Sequence, residues 1–202
     1  MEAVWSKQER KTINFKFAIT DEAINRIPFV KTPMMSEEQS LMLREMHQEL
    51  LKVAKNENKG DEVALISTEH FKKPYIKVFG TQNSVNYMDD INVKALKRES
   101  YALELVMAHN HPTTKGFSFA DIAIFVVDEY ISILSAVTNQ GQAYVMQKMT
   151  KFNYYAARGL IDKLIDKYEL LKYPKDEERQ ISAAREFVKQ ARKVGIWHEA
   201  SK

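Results

Sequence analysis

Cysteine is absent from all 202 residues, which excludes disulfides, thiolate metal sites and cysteine nucleophiles. That absence fits a reducing compartment, and a cytoplasmic location is expected. Long hydrophobic runs are missing too. The longest, Ile122 to Val127, is six residues, whereas a membrane-spanning helix needs about 20. The opening segment MEAVWSKQERK is charged and has no apolar core, so neither a secretory signal nor a membrane partner is expected. Charge of one sign is scarce, with a net charge of only +3. It is unevenly spread: residues 151–202 hold 12 Lys and Arg against 8 Asp and Glu, while residues 1–150 hold 18 against 19. The tail reads as a solvated helical face, with nucleic acid or an acidic partner as the alternative.

What is present belongs to a folded chain, 45% hydrophobic and 28% charged. Ser36-Glu37-Glu38-Gln39 has the pattern of a capping box, and Leu43, Met46, Leu50 and Val53 follow at helical spacing. That helix should stop at NENKGD, residues 56–61. EVALIST (62–68) and PYIKVFG (74–80) read as strands between turn formers. DDINVKALKRES (89–100) suits a helix with an aspartate cap. LELVMAH (103–109) suits a buried strand, SFADIAIFVVDEY (118–130) a helix, and ISILSAVTNQGQAYVMQKM (131–149) a hairpin turned at Asn139-Gln140-Gly141. Beyond residue 150, two apolar stripes, Leu160 to Tyr168 and Ile181 to Ala191, flank a break at Tyr173-Pro174. The expected fold class is α/β, a mixed central sheet flanked by helices. The expected domains are a helical N-terminal extension (1–58), a metal-binding domain (59–150) and a helical, mildly basic C-terminal extension (151–202).

The stretch AHNHPTTKGFSFAD, residues 108–121, carries the chemistry. On a strand, His109 and His111 point to one side about 6.5–7 Å apart, close enough for both imidazoles to reach one zinc ion. Asn110 faces the other way. Pro112 ends the strand, and Gly116 gives the loop freedom to fold back. Asp121, in the first turn of the next helix, then supplies a third ligand. Two histidines and a carboxylate leave a fourth position for water, as a catalytic zinc requires. Ser118-x-x-Asp121 is equally a helix N-terminus signature, with Ser118 as cap. A base outside the metal shell is needed. Glu104 has the wrong strand parity, and Glu69 lies in a connection that cannot be placed. Glu62, heading the EVALIST strand, is the best candidate. His47 is expected on a helix surface and His70 in a loop, while His198 sits near a frayed end. Phe152, Tyr154 and Tyr155 are expected to pack a core.

H-x-H-P followed by S-x-x-D resembles the signature of the JAMM/MPN+ (JAB) metallopeptidases, and is most similar to their bacterial RadC-like branch, whose sequences read AHNHPSG…PS..D. GTQNSV at 80–85 is similar to that family's GT-x-NS turn. The likeness covers roughly residues 60–149, and the gap from His111 to Ser118 is one residue shorter than usual. The resemblance implies a JAB/MPN, cytidine-deaminase-like architecture and a Zn2+-dependent hydrolase of peptide or isopeptide bonds. His109, His111 and Asp121 would be its metal ligands, Glu62 its general base, and Ser118 would stabilise the oxyanion. The implied partner is a protein or peptide substrate, ubiquitin-like modifiers included. A non-catalytic or nucleic-acid-associated RadC-like module is the alternative, although no helix-hairpin-helix motif precedes the domain.

Overall fold

The computed structural model describes residues 16–201, and the segment MEAVWSKQERK lies outside them. The runs rich in β-branched residues form β1 (Val63–Thr68), β2 (Ile76–Phe79), β3 (Leu105–His111), β4 (Ile131–Thr138) and β5 (Ala143–Lys148), and a sixth strand, β6 (Ile196–Ala200), follows. All six make one mixed sheet in the order β2-β1-β3-β4-β5-β6. β3 and β4 run parallel, and every other neighbouring pair is antiparallel. The helices are α1 (Asp21–Asn25), α2 (Glu37–Glu57), α3 (Ile91–Glu99), α4 (Phe119–Val127), α5 (Tyr154–Lys167) and α6 (Glu177–Gln190). α4 is the crossover that a parallel β3–β4 pair requires. No described helix is long and apolar enough to cross a membrane.

Every residue of β3 and β4 is buried. Helices cover both faces of these strands, so they read as continuous apolar runs rather than alternations. On one face Ala64, Leu105, Met107 and Leu134 pack with Phe125 of α4, Leu164 of α5 and Phe187 of α6. On the other, Leu65, Val106, Ile133 and Val145 pack with Leu43, Met46 and Leu50 of α2. α2 begins at the expected capping box, where the Ser36 side chain accepts from the Gln39 amide and the Gln39 side chain from the Ser36 amide, both at 3.0 Å. The segments expected as extensions therefore seal the sheet: α2 covers one face, while α5 and α6 cover the other.

Three expectations need correction. The tail is not helical throughout and does not fray at His198. It ends in β6, where His198 pairs with Met146 of β5. Most of β6 is half-buried, so no period-2 pattern announced it. Tyr154 and Tyr155 point outward, 42% and 85% exposed, and only Phe152 packs against the core. His47 is 1% exposed. It lies four residues after Leu43 and three before Leu50, on the buried stripe of α2, and its Nε2 sits 2.9 Å from Ser135 Oγ of β4.

Burial, with a smaller push from His109, lowers the His47 pKa from 6.5 to about 3. The unfolded chain therefore takes up this proton before the folded one does. Stability contributed by a neutral His47 is intact above about pH 6.5 and is lost as the pH falls towards 3. Between about pH 7 and pH 5 this residue should cost the protein about 2 kcal/mol. His47→Leu should lack that share of the pH dependence, as urea denaturation of both proteins at the two pH values will show.

Candidate metal centre

The side-chain alternation of β3 places His109 and His111 on the α4 side of the sheet, 1% and 8% exposed. Their Nε2 atoms face each other at 2.8 Å. After Pro112 the loop turns back, and the Lys115 carbonyl accepts from His111 Nδ1 at 3.0 Å. With its proton on Nδ1, His111 aims the Nε2 lone pair into the site, the tautomer a metal-ligating histidine needs. Gly116 serves this loop differently from the expectation. Its φ is not positive, but a Cβ there would lie 3.1 Å from the Tyr144 ring, which would have to give by a few tenths of an ångström. His198 and His70 stand outside this cluster: His198 lies edge-on to Phe117, and His70 is exposed beside Glu69.

The loop delivers Ser118 as the N-cap of α4. Asp121 Oδ2 accepts from the Ser118 amide at 2.7 Å and from its hydroxyl at 2.8 Å, while Ser118 Oγ accepts from the Asp121 amide at 3.1 Å. The same Oδ2 lies 3.4 Å from His111 Nε2 and 3.7 Å from His109 Nε2. The helix-start reading of Ser-x-x-Asp therefore holds. The capping box that starts the helix also orients the carboxylate towards the histidines. In this geometry the Ser118 hydroxyl hydrogen is engaged by Asp121.

Glu62 immediately precedes β1. The β1–β3 register sets Ala64 opposite His109, and extending it by two residues sets Glu62 opposite His111. Glu62 shares the face of Ala64 and is 8% exposed. The GTQNSV turn holds its backbone: the Glu62 amide donates to the Thr81 carbonyl at 2.9 Å, and its own carbonyl accepts from the Gly80 amide at 2.8 Å. A Cβ at Gly80 would come within 2.3 Å of the Ser84 carbonyl, so this turn tolerates no side chain there. Glu104 instead accepts from the Tyr101 amide, and the Glu69 side chain is half-exposed beside His70.

These groups shift one another. Burial raises the Glu62 pKa to about 7; Asp121 and Asp61 add to the rise, and His111 opposes it. Burial works against charge on His111, yet the hydrogen bond and charge of Asp121, helped by Glu62, carry its pKa up to about 9. Burial lowers that of His109 despite Asp121. Asp121 is held well below the usual carboxylate range, because the two histidines overcome its own desolvation. The two Nε2 atoms stand at hydrogen-bonding distance, so one proton can be shared across the gap between the imidazoles.

His109, His111 and Asp121 could hold a metal ion. A tetrahedral cation with nitrogen and oxygen ligands at about 2.0–2.2 Å keeps those atoms roughly 3.3–3.5 Å apart. The two edges to Asp121 are close to that range. The 2.8 Å edge between the two Nε2 atoms is shorter than that range, so holding an ion would require the imidazoles to separate. The donor set fits. Sequence reasoning did not find the Lys115 carbonyl, which is backbone and leaves no residue-type signal. It also missed Asn139, whose amide donates to the His111 carbonyl at 2.9 Å.

A metal that replaces the His111 proton must release it. Calorimetric titration of the metal-free protein with Zn2+ near pH 7.5, in buffers of different ionisation enthalpy, should give one ion and about one released proton per chain. Asp121→Asn should weaken that binding at least about 100-fold. Compared with known proteins, the chain matches no family model, and neither a curated protein nor a solved structure is significantly similar to it.

Proposed function

We propose that this chain is a zinc-dependent hydrolase of the JAMM/MPN+ type, similar in motif to the RadC-like branch, that cuts a peptide or isopeptide bond. The observation that carries this reading is the gathering of Glu62 with His109, His111 and Asp121 on one face of the sheet. The α/β sheet with helices on both faces is compatible with a JAB arrangement. Bound to the three donors, zinc would supply a Lewis acid for the scissile carbonyl and a water of lowered pKa.

The chain's own residues supply the rest. Glu62, with a carboxyl that burial first pushes up to about 7, is suited to take a proton near neutral pH and pass it to the leaving amine. The Lys115 carbonyl keeps His111 in the ligating tautomer. Ser118 orients Asp121, and serving an oxyanion would require its hydroxyl to leave that carboxylate. Asp121 is a quarter exposed while His109 is sealed, so a substrate approaches from the Asp121 side. A protein or peptide partner, ubiquitin-like conjugates included, fits better than nucleic acid. In the basic tail, Arg158, Lys167, Lys172 and Arg179 already pair with Asp162, Glu186, Glu169 and Asp176.

The test is zinc analysis together with a panel of peptide- and isopeptide-linked substrates. Glu62→Gln should keep one zinc per chain and lose at least about 100-fold in kcat/KM, the lower range of general base catalysis. A zinc-loaded wild-type protein that is inert across the panel would overturn the hydrolase reading. Glu62 must be deprotonated to act, so kcat/KM should fall on the acid side. A dication beside the carboxylate lowers its pKa, so the midpoint of that limb should lie at or below about pH 7.

A further inference from the structure

Between the two histidines lies Asn110, which the alternation of β3 turns to the opposite face of the sheet, away from the metal site. It is fully buried. Its Oδ1 accepts from the Val63 amide at 2.7 Å, and its Nδ2 donates to the Asp61 carbonyl at 3.2 Å. Those two groups are the backbone immediately after and immediately before Glu62. The regular β1–β3 pairing stops at Ala64 and His109, short of Glu62. The Asn110 side chain takes over where the ladder ends.

A second buried asparagine completes the tie. Asn139 Oδ1 accepts from Asn110 Nδ2 at 2.9 Å, which fixes the orientation of that amide. Asn139 Nδ2 donates to the Gly60 carbonyl at 3.0 Å, and the Asn139 amide donates to the His111 carbonyl at 2.9 Å. Gly60 and Asp61 before Glu62, and Val63 after it, are thereby referenced to the strand that carries the histidines. On the β2 side, Gly80 and Thr81 hold the Glu62 backbone from the other direction.

We propose that Asn110 is the positioning residue for Glu62: its amide clamps the backbone on both sides of Glu62 and so fixes where that carboxylate stands relative to His109 and His111. At the same strand position an aspartate carboxylate accepts from residue 63 but has no donor for residue 61, and alanine offers neither. The catalytic consequence rests on Glu62 being the base, as proposed above; the clamp itself does not.

Amide hydrogen exchange of the full chain, read residue by residue by NMR, tests the clamp. In Asn110→Ala the Val63 amide should exchange at least about tenfold faster, while amides in the middle of β4 keep their rates. Asn110→Asp keeps the acceptor oxygen and should keep Val63 slow. An unchanged Val63 rate in the alanine variant overturns the clamp. So does equal acceleration throughout β1, β3 and β4 in both variants, which would mark a packing role. If neither variant folds, a long-range HNCO correlation between the Val63 amide and the Asn110 side-chain carbonyl in the wild type decides, and its absence overturns the proposal.

The link to Glu62 is read from the visible absorption of the Co2+-loaded protein across a pH titration. Asn110→Ala should move the spectral midpoint towards that of Glu62→Gln, and should move it no further in the Glu62→Gln background. A shift of the same size with and without Glu62 overturns the positioning role. A midpoint that Glu62→Gln leaves unmoved overturns the base assigned under the proposed function, and the exchange result still judges the clamp.

Discussion

The site depends on one geometric constraint: successive side chains of a β-strand point to opposite faces. On β3 that constraint sends His109 and His111 to the α4 side and Asn110 to the α2 side. One strand therefore presents two nitrogen donors on one face. On its other face it presents the amide that borders Glu62. Antiparallel pairing with β1 ends at Ala64 opposite His109, which leads Glu62 in towards His111, and the parallel crossover through α4 returns Asp121 to the same place. Nothing in this arrangement requires an unusual backbone at the histidines themselves.

Burial gives the arrangement its chemistry. Polar groups taken out of water must find partners or change their protonation. For Glu62, burial is the first cause of the rise of its pKa to about 7. The histidines differ: burial pushes the His109 pKa down, while at His111 the hydrogen bond and charge of Asp121 outweigh burial and carry it up to about 9. A buried cation of either kind, a proton or a metal ion, satisfies the same three groups. The remaining buried polar side chains nearby, Asn110 and Asn139, find backbone partners instead. The pattern separates groups that need a cation from groups that hold the frame.

Much of this was legible because its signals were local. The apolar run LELVMAH (103–109) announced a buried strand, which in the structure begins two residues later and runs through His111, and a one-residue spacing was enough to put both histidines on one side. The capping patterns at Ser36 and Ser118 are both realised with reciprocal hydrogen bonds. The position of Glu62 followed from the strand it heads. Its register against β3 did not, because pairing partners are set by tertiary packing. His47 was misjudged from its polar neighbours, Gln48 and Glu49, although its spacing from Leu43 and Leu50 placed it on the buried stripe. β6 was missed because an edge strand with mostly half-buried residues carries no alternation. Asn110 and Asn139 act with their side-chain amides on the backbone of other segments, and their role appears only once three chain segments are brought together.

The assembly of one cation by His109, His111 and Asp121 is tested most directly by X-ray absorption at the metal edge of the zinc-loaded protein. The expected spectrum shows one ion per chain, with two imidazoles and carboxylate oxygen at about 2.0–2.2 Å. His109→Ala and His111→Ala should each remove one imidazole from that shell. A protein that takes up no stoichiometric metal, or a shell without imidazole scattering, would contradict it.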